Sequence, residues 1–492
     1  MANTFFGLNI GTSGLYAANT WLNVTANNLS NAQTEGYSRQ TATQQATQAL
    51  RVYQRYGQIG SGTEVVDVRR LRDEYYDVKF WENQCKNGDS STKAYYLTQI
   101  EDYFADDGKS GFTTEFAGLY NSLEELVKDP SGLSARVSML NYAQNFLDYM
   151  NNIKVNLQNT QSDLNSEVNS NVDHINSLAQ EIATLNKQIN IIELQGANAN
   201  ELRDKRALLI DELSEIVDVD THEVLYENGK SEYYVTISGK SLVNNYDYFT
   251  LDVVAREEKV DSDDLVGLYD IQWSYGEEFN PAKSGTMGTL AALIEVRDGN
   301  NQVPEDGNMD VAMDYKGIVY YINQIDSFLD QFTARLNEIH SKGKNLYDQS
   351  TADIPLFVMG DDEVYKVNPD ILDDPGLLAT STEGTANESK NDIADALLAT
   401  KYEKTYESGT SEEALAAIIT ELSIDSKKAQ DRKTNYTNFK NLIDNQRLSV
   451  MGVDSDEESM NLVKYQEAYD LSSKVIQIMS EVYDKLINET GV

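Results

Sequence analysis

The sequence predicts a mainly α-helical protein with a small β domain inserted between helices, and three observations carry that expectation. Both chain ends show a narrow apolar stripe at coiled-coil spacing, a long interior segment repeats the same rhythm, and residues 221–280 switch to alternation.

In the N-terminal segment Leu8, Leu15, Leu22 and Leu29 recur every seven residues, with Gly11, Ala18 and Thr25 at the second seam position. That is one stripe on a helix of about 25 residues. Small residues at the second position permit close approach to a neighbouring helix. Asn19, Asn23, Asn27 and Asn28 on the other faces are mediocre helix formers, so this helix is expected to need a partner. Asn31 through Gly36 reads as its end and a turn. At the other end Leu462, Tyr465, Tyr469, Ser472, Ile476, Met479, Tyr483 and Leu486 alternate steps of three and four. Ser455 with Glu458 three residues later reads as a capping box, and Asp456 and Glu457 suit the positive end of the helix dipole. Two such stripes predict that the termini pair with each other; periodicity alone equally allows an ordinary two-helix core contact.

Between them Leu164, Val168, Ile175, Leu178, Ile182, Leu185, Ile189 and Ile192 keep the rhythm, with Asn171 in the one missing place and Met150, Ile153 and Leu157 leading in. This reads as a helix of roughly 55 residues, unusually long for a globular protein, bounded by Pro130 and Gly132 before it and Gly196 after it. Residues 315–343 and 385–448 add helical patterns, and a bundle that the chain leaves and re-enters is the expected arrangement. Within 221–280, Leu265, Gly267, Tyr269, Ile271, Trp273 and Tyr275 occupy alternate positions, and Tyr234, Thr236 and Ser238 alternate with Val235 and Ile237. Asn228-Gly229 and Ser238-Gly239 are turn signals. Residues 41–70 read as extended, with Gly57, Gly60 and Gly62 as turns. Residues 344–384, with Pro355, Pro369, Pro375 and many acids, read as a long loop or flap. The expected division is 1–56 with 450–492 as a terminal-helix assembly domain, 57–220 with 281–449 as a helical bundle carrying the loop, and 221–280 as the inserted β domain.

At about 150 residues per domain, the 492 residues allow roughly three domains. The net charge of −40 repels phosphate backbones and anionic lipid, so neither nucleic acid nor a membrane surface is an expected partner. No stretch approaches ~18 consecutive apolar residues, and no membrane insertion is expected. The first 38 residues contain no Lys or Arg, which argues against a cleaved secretory signal. A lone cysteine, Cys85, allows no internal disulfide and no cysteine zinc site.

A search for chemistry finds none. His174, His222 and His340 have no partners at metal-ligand spacing. No nucleophile elbow, Walker A loop or CxxC is present. Asp454, Asp456, Glu457 and Glu458 lack the spacing of a calcium loop and are better explained by helix capping. No catalytic residue, metal or cofactor is expected.

The run Asn27-Asn28-Leu29-Ser30-Asn31-Ala32, followed by Thr34-Glu35-Gly36-Tyr37-Ser38-Arg39-Gln40, resembles the signature of the rod, hook and hook-associated axial proteins of the bacterial flagellum; its ending is similar to the hook-associated version. Glu35 stands where the family usually has Pro. Ser449-Val450-Met451-Gly452-Val453-Asp454, Asp456-Glu457-Glu458, Asn461-Leu462, Tyr465-Gln466 and Ala468-Tyr469 resemble the same family's C-terminal motif. Glu201 to Arg206, Ser284 to Asp298, and Asn337, His340 and Gly343 resemble its interior motifs, His340 thereby reading as structural. The resemblance implies a structural subunit of the hook–filament junction, with the β domain outermost. It implies assembly as a homo-oligomeric ring through Leu8, Leu15, Leu22, Leu29, Asn27, Asn28, Asn31, Gly36, Tyr37 and Arg39 at one end and Leu462, Tyr465, Tyr469, Ile476, Met479 and Tyr483 at the other. It further implies export without a cleaved signal through the flagellar type III apparatus to an extracellular place on the flagellum. The implied partners are the hook protein, the next hook-associated protein and an export chaperone. A hook protein or other axial subunit is the alternative within the class; a cell-wall-degrading enzyme in the β insert is the alternative outside it.

Overall fold

The computed structural model of the chain describes residues 6–51, 58–104, 111–226, 230–261, 264–302, 313–360, 363–383 and 390–489; Gly57 and the Asn228-Gly229 turn lie outside them. Its helices are α1 (Phe6–Ser30), α2 (Glu74–Tyr103), α3 (Phe112–Lys128), α4 (Leu133–Glu193), α5 (Asn200–Ile216), α6 (Thr289–Asp298), α7 (Ile318–His340), α8 (Pro369–Asp373), α9 (Asp392–Ala399), α10 (Ser411–Met451) and α11 (Ser455–Asn488). Its strands are β1 (Gln40–Ala46), β2 (Leu50–Arg51), β3 (Gln58–Ile59), β4 (Thr63–Arg70), β5 (Val219–Leu225), β6 (Ser231–Ile237), β7 (Lys240–Asn244), β8 (Asp247–Tyr248), β9 (Leu251–Ala255), β10 (Tyr269–Trp273), β11 (Phe357–Met359) and β12 (Tyr365–Val367). The chain is thus mainly α with small antiparallel sheets. It divides into one unit of residues 1–87, 174–250 and 436–492, and another of 88–173 and 251–435.

The expected long helix is α4, 61 residues, and it ends where Gly196 takes a φ of 85° that a residue with a side chain resists. Its stripe is buried through Leu164, Val168, Val172, Ile175, Leu178, Ile182 and Ile189. Val172, one place beyond Asn171, completes the rhythm, while Leu185 and Ile192 are only half-buried. The strands expected within 221–280 form two separate sheets. The first unit holds β5-β6-β7-β8; the second holds the β9–β10 pair. Tyr233, Val235 and Ile237 of β6 point inward at every second position, and the β6–β7 hairpin turns at Ser238 and Gly239, both at positive φ. Two buried asparagines of α4 meet this sheet as surrogate backbone. Asn190 gives Nδ2 to the Ser231 carbonyl at 2.7 Å and accepts the Ser231 N–H at 2.9 Å, and Asn186 gives Nδ2 to the Asn245 carbonyl at 2.8 Å.

In the second unit, Phe112, Phe116, Tyr120, Phe146, Phe328 and Phe332 form an aromatic core with centroid separations of 4.7–6.2 Å. Residues 344–384 are not the open loop expected. They hold the β11–β12 hairpin and α8, and they bury Thr351, Leu356, Phe357, Ile371 and Leu378. Arg136, fully buried, explains part of this order. It donates to the carbonyls of Pro130 at 2.9 Å, Pro375 at 3.2 Å and Leu378 at 2.5 Å, and to Thr380 Oγ1 at 2.8 Å. Burial lowers this guanidinium to about 10. His340 closes the same region: its Nε2 accepts the Ala379 N–H at 3.0 Å, and Thr351 Oγ1 donates to its carbonyl at 2.6 Å. Cys85 is buried. No described helix is long and apolar enough to cross a membrane.

Burial lowers the His340 imidazole from 6.5 to about 4. The neutral ring therefore contributes stability fully above pH 6.5, and that contribution is lost as the pH falls from 6.5 toward 4, at no more than about 1.4 kcal/mol per pH unit. In urea unfolding at pH 7.5 and 5.0, His340→Gln should show a smaller acid-induced loss than the unsubstituted chain; an equal loss would mean that His340 does not contribute.

Candidate assembly site

Helix α1 is poor in strong helix formers, yet it forms where expected, across Phe6–Ser30, because α11 lies along it. The contacts descend one helix as they climb the other, so the two run antiparallel. A Cβ added to Gly7 would stand 2.8 Å from Met479 Sδ, one on Gly11 2.9 Å from Ile476 Cγ1, and one on Gly14 3.0 Å from Ser472 Oγ. Further along, the Trp21 and Tyr465 rings stack 4.8 Å apart at 16°. The small positions Gly11, Ala18 and Thr25 are the buried ones. Leu8, Leu15 and Leu22 are half-buried and Leu29 is exposed. On α11, Leu462, Tyr465, Tyr469, Ile476, Met479 and Tyr483 are half-buried, while Leu486 is exposed. A second apolar set on α11 has nothing over it among the described residues: Met460, Val463, Leu471, Ile478, Val482 and Ile487 are exposed, as is Tyr16 on α1.

The loop after α1 is held by its own side chains. Asn31 Nδ2 donates to the Asn27 carbonyl and to Asn27 Oδ1, each at 3.0 Å, and Asn27 Nδ2 donates to the Tyr37 hydroxyl at 3.2 Å. Asn28, buried, accepts at Oδ1 from the Tyr37 hydroxyl and from the Gln40 N–H, both at 2.9 Å, and returns Nδ2 to the Gln40 carbonyl at 2.9 Å. Gly36 turns the chain at φ 73°, and a Cβ there would meet Leu208 at 3.4 Å. Glu35 is exposed beside it, and the turn closes with a Tyr37 N–H to Thr34 carbonyl bond of 3.2 Å. Burial, reinforced by Glu201, Asp204 and Glu458, pushes the Tyr37 phenol well above its ordinary range and keeps it a donor.

The interior motif Glu201 to Arg206 docks on this loop. Asp204 accepts the Ser38 N–H at 3.0 Å, the Ser38 hydroxyl at 2.8 Å and Arg70 Nη1 at 2.8 Å, and Gln40 Nε2 donates to Glu201 Oε1 at 2.9 Å. Arg39 then joins the chain's two ends. Its N–H donates to the Met451 carbonyl at 2.8 Å, its Nε to Glu458 Oε1 at 2.8 Å, and its Nη1 and Nη2 to Glu457 at 3.2 and 2.9 Å. Hydrogen bonding to Glu457 raises the Arg39 guanidinium further. Glu458 is therefore an ion-pair partner and not half of a capping box. The cap is Asp454, whose Oδ1 accepts the N–H groups of Asp456 at 2.9 Å and Glu457 at 3.1 Å, with Ser455 as the first helical residue. The half-buried Arg39 guanidinium claims the buried Glu458 carboxylate, which leaves that carboxylate unable to fold back on its own helix. Trp21, Ser38, Gln40, Glu201, Asp204 and Glu457 are additions to the expected set. Ser38, Gln40, Glu201, Asp204 and Glu457 all lie inside recognised motifs; the Trp21–Tyr465 stack had no such signal.

Terminal helices paired antiparallel and locked by a signature loop define a class of flagellar axial proteins, and the ends match it. Residues 8–37 match the flagella basal body rod protein family and 444–489 the flagellar basal body rod FlgEFG protein C-terminal family. Residues 97–357, more than half the chain, match the flagellar hook-associated protein FlgK helical domain. The chain belongs to that family of structural flagellar proteins. It is 29% identical to flagellar hook-associated protein 1 of Bacillus subtilis, covering 100% of this chain and 99% of that one. It is 24% identical to the Escherichia coli protein of that name, covering 98% and 99%. A solved flagellar hook junction protein, FlgK from Burkholderia pseudomallei, is 20% identical at a TM-score of 0.46 over 57% of this chain and 47% of that one.

Removing the Arg39 side chain leaves the nearly buried Glu458 carboxylate without its guanidinium. Arg39→Ala should lower stability by roughly 2 kcal/mol, whereas Glu457→Gln, at a half-exposed acid, should change it by less than about 0.5 kcal/mol. Hydrogen exchange of α1 reads both: protection should drop in the first variant and hold in the second. Gly11→Val should also deprotect α1, since its Cβ needs space that Ile476 occupies.

Proposed function

We propose that this chain is a non-enzymatic structural subunit of the hook–filament junction. It self-assembles as a ring through α1 and α11, after export through the flagellar type III apparatus without a cleaved signal. Residues 1–56 with 450–492 serve as the assembly domain. The hook protein, the next hook-associated protein and an export chaperone are its partners. The observation that carries this reading is the doubled apolar character of α11. One stripe meets α1, and the other, through Met460, Leu471 and Ile478, is left outward on a two-helix arm that buries little by itself. A helix pair of that kind gains most of its order from neighbours in a packed wall. Full-length relatives carrying the hook-associated protein 1 name support the same place on the flagellum.

Immunogold electron microscopy of the tagged protein on intact flagella tests the location. A single band at the hook–filament boundary is expected; label along the whole hook or filament would make the chain a bulk subunit. Leu15→Asp and Leu22→Asp should abolish incorporation while leaving the second unit folded by circular dichroism, and normal incorporation of either would overturn the assembly role of this helix.

A further inference from the structure

In a chain of 80 acids and 40 bases, one cavity of the first unit is lined by four arginines. Arg70 comes from the end of β4, Arg72 from the loop after it, and Arg203 and Arg206 from successive turns of α5. The cavity has a volume of 210 Å³, room for several water-sized groups. Each arginine has an acid partner, yet not every donor is used. Arg72 gives Nε and Nη2 to Asp77 at 2.6 and 3.0 Å, but its Nη1 is buried without a hydrogen-bond partner. Asp204 Oδ1 stands 3.8 Å from that atom and already accepts from Ser38 and Arg70. Arg206 gives Nη1 to neutral Asn186 at 2.9 Å, lies 3.6 Å over the Tyr233 ring, and reaches Glu223 only at 3.5 Å. Glu223 is shared with Arg203, which approaches it at 3.0 Å. Burial, with repulsion from neighbouring arginines, lowers the guanidinium groups of Arg70 and Arg206.

We propose that this cavity binds a small tetrahedral oxyanion, phosphate or sulfate, with Arg72 Nη1 as its central donor. Guanidinium forks match the spread acceptor oxygens of such an ion, and a buried donor without a partner is the group an incoming acceptor satisfies. The bound ion would tie β4, α2 and α5 together beside the loop that carries Arg39. Glu74, exposed at the cavity lining and the first residue of α2, opposes the ion by charge and so sets how tightly it is held.

Isothermal titration of the full chain with sodium sulfate and with sodium phosphate, each against sodium chloride at matched ionic strength, tests this. A saturable one-to-one heat for the oxyanions and none for chloride is expected; the two titrations side by side identify the preferred ion. Arg72→Gln should weaken binding at least about tenfold. Glu74→Gln, which leaves every arginine in place, should tighten it roughly two- to fivefold and carries the test should Arg72→Gln fail to fold. Crystals soaked in selenate should show an anomalous peak within hydrogen-bond reach of Arg72 Nη1. Heats that do not saturate, or an affinity unmoved by Glu74→Gln with no selenate peak, would overturn the proposal.

Discussion

A nearly buried carboxylate at the start of α11 needs a cation, and the cation comes from the other end of the chain. Glu458 is 2% exposed, and its partner Arg39 is 419 residues away in sequence. An ion pair of that kind stabilises only when both groups arrive already held. Arg39 arrives held because its neighbours are fixed first: Tyr37 by Asn27 and Asn28, Ser38 by Asp204, and Gln40 by Asn28 and Glu201. The asparagine-rich end of α1, costly as helix, thus serves as the scaffold for the loop that meets α11.

The pairing of α1 with α11 follows from size as much as from apolarity. Glycines at positions 7, 11 and 14 remove the side chains that would hold the helices apart, so Met479, Ile476 and Ser472 pack against backbone. Such glycines weaken α1 as an isolated helix. The arrangement is therefore stable only as a pair.

The charge of −40 coexists with this because basic residues of the first unit are placed at joints. Arg447 meets Asp77 at 2.8 Å and Asp211 at 2.6 Å, with Trp81 Nε1 donating to the same Asp211 at 2.6 Å. Arg203 holds Glu193 at 2.6 Å and Glu223 at 3.0 Å. These paired arginines tie helices and strands together, while the surplus acids keep the surface soluble and mutually repelling outside designed contacts.

The features legible in the sequence are local: the extents of α1, α4 and α11, the alternation of β6 and β10, the Ser238-Gly239 turn, and the motifs that mark both ends. Periods of two and about 3.6 residues, and the turn chemistry of Gly, Asn and Asp, act over a few residues and are legible without a fold. Long-range packing settles the rest: which of two adjacent capping residues serves α11, which stripe of α1 faces inward, and how the described part of residues 344–384 is ordered. Asp454 caps because Glu458 is claimed by Arg39, Gly11 and Ala18 face inward because α11 approaches that closely, and residues 344–384 pack because Arg136 and His340 supply partners for their backbone. Those choices depend on distances between groups hundreds of residues apart in the chain, which periodicity cannot express.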